Sequence, residues 1–147
     1  MRKSSHGAIV VILVLALLAG CATTSMLKLT PEERTYLEKA KAFPLEFTIP
    51  KSEADEAWGR AQSFIGRFSS MKLQTVTDFV IQTYNPRSTD VDFGYYVTKT
   101  PMGDKVQITV QCNTGNVFAE EDANNNAHIL AYYIKTGELV NPRLIAR

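Results

Sequence analysis

The stretch from Val91 to Cys112 constrains the fold most. Val91, Phe93, Tyr95 and Val97 occupy alternate positions. After Thr100-Pro101-Met102-Gly103, Val106, Ile108, Val110 and Cys112 do the same. A period of two puts the apolar side chains on one face of an extended strand. Proline second and glycine fourth in a four-residue run suit a tight turn. The chain therefore contains an antiparallel hairpin with one apolar face, and that face must be covered.

Further strands flank this hairpin. Leu73 to Tyr84 is rich in β-formers and reads as one strand, with Phe79 and Ile81 on one face and Val76 and Val80 on the other. Pro86 marks the loop that follows. Leu45-Glu46-Phe47-Thr48-Ile49 alternates strictly and is ended by Pro50.

Two amphipathic helices supply the cover. Ser52 is the expected N-cap of the first, with Asp55 at the capping-box position. Its apolar stripe is Ala54, Ala57, Trp58, Ala61, Ile65 and Phe68, with Phe64 at the edge and Glu56 and Arg60 paired on the other side. Gly59 and Gly66 lie within it, and their cost in a helix predicts a close approach by a neighbour. The second helix is predicted over 118–136, with Gly137 at C′. Its stripe is Ala119, Ala123, Ala127, Leu130 and Ile134, bordered by Asn126 and Tyr133, while His128, Tyr132 and Lys135 face outward. A leading helix starts at Thr30-Pro31-Glu32-Glu33 and runs to about Lys41, with a thin apolar content of Tyr36, Leu37 and Ala40.

The expected fold class is α+β: an antiparallel sheet with two amphipathic helices packed on one face, in the order β-α-β-β-β-α, preceded by a short helix. In element order alone this resembles helix-grip domains.

The beginning of the chain carries an address. Arg2 and Lys3 precede an uncharged apolar run, Ala8 to Ala19, which is shorter than the ~20 residues that span a bilayer. It has the length and flanks of a secretory signal and ends in Leu18-Ala19-Gly20-Cys21. This ending resembles the lipobox of bacterial lipoproteins. The resemblance implies cleavage before Cys21, acylation of that cysteine, and attachment to the cell envelope through lipid. Ala22, where an aspartate often marks inner-membrane retention, implies the outer membrane, facing the periplasm. The chain divides accordingly into a signal segment (1–20), a lipidated cysteine and tether (21–29) and a single domain (30–147).

Charge and composition narrow the function. The whole chain carries a formal net charge of +1, and loss of Arg2 and Lys3 leaves the remainder near neutral. Nucleic acid is not an expected partner, because phosphate binding needs a basic patch. Cys112 is the one cysteine left beside Cys21, so no internal disulfide is expected. His128 is the one histidine after the signal segment, and no spacing implies a metal or cofactor. Asp122-Ala123-Asn124-Asn125-Asn126 opens like a calcium loop but has Ala127 and Tyr133 where glycine and glutamate are needed. Cys112 and His128 are expected on opposite sides, the thiol buried.

The expectation is a binding or assembly domain without a catalytic centre, acting with an envelope protein. His128, Tyr132 and Lys135 form the candidate contact strip. The alternatives are a lipid or small-molecule carrier, with a pocket at Trp58, Phe64, Asn126 and Tyr133, or a small hydrolase.

Overall fold

The computed structural model describes residues 29–146. The signal segment, Cys21 and the tether lie outside the described residues. Helix α1 (Pro31–Ala42) leads into strand β1 (Glu46–Pro50), a 3-10 turn (Lys51–Glu53) and helix α2 (Ala54–Phe68). Four strands follow: β2 (Leu73–Val76), β3 (Val80–Thr83), β4 (Phe93–Met102) and β5 (Lys105–Thr114). A 3-10 turn (Val117–Ala119) opens helix α3 (Glu120–Thr136), and a last 3-10 turn covers Pro142–Leu144.

The fold is α+β, with one antiparallel sheet in the order β1-β5-β4-β3-β2. β2 to β5 form a meander, and α2 carries the chain from β1 on one edge to β2 on the other. The expected hairpin is present as β4 and β5, in register from Phe93 opposite Thr114 to Met102 opposite Lys105. Its turn lies two residues further on than expected. Pro101 pairs with Val106 inside the ladder, and the loop is Gly103-Asp104, with Gly103 at φ 67°. A positive φ at the first loop position followed by a negative one is the pattern of a type II′ turn, whose twist matches the strands. Val91 lies outside β4 and is exposed.

Residues 73–84 make two strands, not one, so the sheet has one strand more than the periodicity implied. Thr77 causes the break: its Oγ1 accepts from the backbone N–H of Phe79 and of Val80, and its own N–H donates to the Val80 carbonyl. This local turn diverts the chain even among β-formers. Ser52 is not the N-cap of α2 either: the helix starts at Ala54 after the 3-10 turn, with Glu53 at the cap and no side-chain bond there.

The core lies between the sheet and the helices. Phe47, Ile49, Ile81, Tyr95, Val97, Ile108 and Val110 project from the sheet. Ala57, Trp58, Ala61, Ile65 and Phe68 meet them from α2, and Phe64, expected at the edge of the stripe, is fully buried. α3 is the central helix. Ile129 and Ala131, outside its expected stripe, are buried along with Ala123, Ala127, Leu130 and Ile134. Helix α1 is also anchored despite its thin apolar content: Tyr36 and Ala40 are buried, as is Glu33. A Cβ added at Gly59 or Gly66 would meet nothing within 4 Å, so neither glycine marks a close approach.

Candidate functional site

His128, Tyr132, Lys135, Asn126 and Tyr133 all lie on α3, which distributes them to different sides. His128 and Tyr132 point toward α1. His128 Nδ1 lies 2.9 Å from the Phe43 carbonyl, which can only accept, so Nδ1 carries the proton. The Tyr132 ring meets Tyr36 and Phe43 edge-on, at centroid separations of 5.7 and 5.9 Å. Its hydroxyl donates to Glu138, and burial and that carboxylate raise its pKa. Lys135 pairs with Glu53 at 3.0 Å. The three residues expected as an outward contact strip are thus half-buried and already engaged: α1 and Phe43 lie against Tyr132 and His128, and Glu53 of the 3-10 turn holds Lys135.

The expected pocket is not assembled from its four residues. Phe64 packs against Phe68, Tyr95 and Tyr133, with centroids 5.0, 6.1 and 5.7 Å apart. Trp58 donates from Nε1 to the Thr77 carbonyl, with Lys99 over its ring. Asn126 is fully buried and holds the backbone of Ala146 from both sides: Nδ2 donates to its carbonyl at 3.0 Å, and Oδ1 accepts from its N–H at 2.9 Å. Its polar capacity goes to a local backbone partner, as buried amides require. Phe64 and Tyr133 border a shallow hollow of about 300 Å³ with Leu139 and Pro142.

A larger open groove, about 440 Å³, runs between β5 and the first turns of α3. Leu45, Val110 and Cys112 line one side and Glu120, Ala123 and Asn124 the other. β1 stops at Glu46 opposite Thr109 while β5 continues to Thr114, which leaves this end of β5 without a strand on that side. Cys112 is half-buried there, and burial pushes its thiol up to about 12, against a weaker lowering by a hydrogen bond with Tyr95. Such a thiol stays protonated and is a poor nucleophile near neutrality. His128, bound to Phe43 on the α1 side, is not its base.

One polar cluster went unnoticed in the sequence. Glu33, in the first turn of α1, is 3% exposed and accepts from Asn141 Nδ2 at 2.8 Å and from Arg143 Nε at 2.6 Å; a second Arg143 nitrogen bonds its other oxygen. That carboxylate raises the Arg143 pKa further. More than a hundred residues separate the partners, and no local spacing announces them. Among the described residues no group of three or more His, Cys, Asp or Glu is placed to hold a metal, and no helix is long and apolar enough to cross a membrane. Comparison with protein families, with curated proteins and with solved structures finds no match to this chain.

Proposed function

We propose that this chain is a lipid-anchored protein of the bacterial cell envelope whose domain works by binding, as an assembly or adaptor subunit without a catalytic centre. The observation that carries the reading is Leu18-Ala19-Gly20-Cys21 at the end of an uncharged apolar run behind Arg2 and Lys3. On this reading Cys21 is acylated, and more than one acyl chain makes attachment stable, at ~0.8 kcal/mol per buried CH₂. Ala22 points to the outer membrane, facing the periplasm. Support for a binding role comes from how the reactive side chains are occupied. The Cys112 thiol is held protonated, His128 serves the Phe43 carbonyl, and Asn126 serves Ala146. A small-molecule carrier is the second reading, favoured only by the groove between β5 and α3.

The test is Cys21→Ser in cells fed a fatty-acid analogue. Loss of label and of lipoprotein-type processing is expected. Undiminished labelling of the variant would remove the anchor and, with it, the envelope reading.

A further inference from the structure

The sheet has two edges, and they differ. An edge strand offers backbone N–H and C=O groups to any strand that fits beside it. At β1 the offer is blunted: Pro44 precedes the strand, Pro50 ends it, and Glu46 lies within it. At β2 the four residues Leu73-Gln74-Thr75-Val76 contain no charge and no proline. Leu73 and Val76 stand opposite Thr83 and Ile81, which are fully buried, yet are themselves 47% and 48% exposed. They are on the helix-covered face of the sheet, past the reach of the helices. Phe79, at the tip of the β2–β3 hairpin, is 54% exposed.

We propose that this edge pairs, antiparallel, with the same edge of a second copy of this chain, joining two sheets into one. Charge selects that occupant. Lys72 precedes the strand and Asp78 follows it; both are exposed, and neither makes an ion pair among the described residues. Antiparallel self-pairing of residues 73–76 brings Lys72 of each copy close to Asp78 of the other. Opposite charges facing each other across strands stabilise a pairing, and like charges oppose it.

The hydrogen-bond phase sets the register. Thr77 N–H donates to the Val80 carbonyl, toward β3. Val76, one residue back, therefore turns its own N–H and C=O to the open side. At the other end of the strand the Tyr84 N–H donates to the Lys72 carbonyl, so Leu73, one residue on, also turns its groups to the open side; Leu73 of one copy then pairs with Val76 of the other, and the two-fold passes between Gln74 and Thr75. The two-fold axis stands normal to the sheet, so the helices of both copies cover the same side. Leu73 and Val76 of each copy then extend the apolar face of the other. A bulge between Leu73 and Thr75 confines regular pairing to a few residues. The area buried is accordingly below the ~1,200 Å² of a standard interface, and association is favoured where copies are concentrated.

The test uses the full chain in membranes of cells that express it. Thr75→Cys, under a mild oxidant, is expected to give a thiol-reversible band of twice the mass on a non-reducing gel. The parent chain, which keeps Cys21 and Cys112, and Gln111→Cys on the outer sheet face are expected to give none. Leu73→Cys co-expressed with Val76→Cys reports the register through a directly opposed pair. Adding Lys72→Asp is expected to lower the Thr75→Cys dimer several-fold, and adding Asp78→Lys to that variant to restore it. Cross-linking no greater at these positions than at Gln111→Cys overturns the pairing, as does an Asp78→Lys that fails to restore it.

Discussion

At the residue scale, Cys112 shows how burial governs both reactivity and stability. Its thiol lies opposite Tyr95 in the β4–β5 ladder, on the inner side of the sheet. Burial raises its pKa from 9.0 to about 12 in the folded chain. Alkylation of native protein is therefore expected to stay slow from about pH 7 to about pH 9, and to become fast only once denaturant is added. Rapid native labelling that follows the ordinary thiol curve would contradict this. The same shift has a consequence for folding. Between the two pKa values the unfolded chain has lost the thiol proton and the folded chain has kept it. The unfolded state then binds fewer protons, so stability falls as pH rises through that window. At about pH 10 the loss amounts to ~1 kcal/mol. Denaturant midpoints at about pH 7 and pH 10 should show a smaller fall in Cys112→Ala than in the parent chain. Tyr36 leaves a residual fall of the same sign, because burial and then Glu138 raise its pKa as well.

At the scale of elements, α2 carries two positions where the sequence is worse than its environment allows. Gly59 and Gly66 lie inside the helix, and an added Cβ at either has open space around it. Alanine there restricts the unfolded chain and fits the folded one. Gly66→Ala is expected to stabilise by ~0.5–1 kcal/mol, read as a raised denaturant midpoint with an unchanged slope; a lowered midpoint would mean that the open space is filled. The bounds of α1, the stripe of α2, the β4–β5 hairpin and the Gly137 stop of α3, at φ 75°, were legible in the sequence because each repeats a period or uses a residue of special conformation. The β2–β3 turn was not, because Thr77 carries it and threonine is an ordinary strand residue. The intramolecular partners of His128, Tyr132 and Lys135 were hidden for a related reason. Histidine and tyrosine are amphipathic, and their place on α3 does not reveal that Phe43 and Tyr36 return to cover them. Leu73 and Val76 are apolar like core residues but lie beyond the helices, and only the sheet order and the bulge between them place both on the open edge.

At the scale of the whole molecule, α1 and the segment after α3 hold each other across the central helix. Tyr36 donates to the Glu138 carbonyl, Glu33 binds Asn141 and Arg143, and Asn126 on α3 fixes Ala146. Ile145, 4% exposed, adds an apolar anchor between these polar contacts. None of these bonds belongs to the sheet, so this layer can loosen while the ladder stays closed, as local unfolding units do. Removing residues 142–147 takes away Arg143, Ile145 and Ala146 together. It takes the Arg143 guanidinium from the buried Glu33 carboxylate, and leaves the Asn126 amide without its Ala146 partner. A buried polar group that loses its partner costs ~1–3 kcal/mol, and a carboxylate in that position draws water by opening the helix that carries it. The truncated chain is therefore expected to exchange its α1 amides, Pro31–Ala42, much faster than the intact chain. The amides of β4 and β5 should keep their protection, because their partners lie in the ladder. Hydrogen exchange resolved by segment distinguishes the two outcomes. Equal acceleration in α1 and in β5 would show that the layer and the sheet unfold as one unit, and unchanged exchange in α1 would show that Tyr36 and Ala40 hold it without the polar clamp.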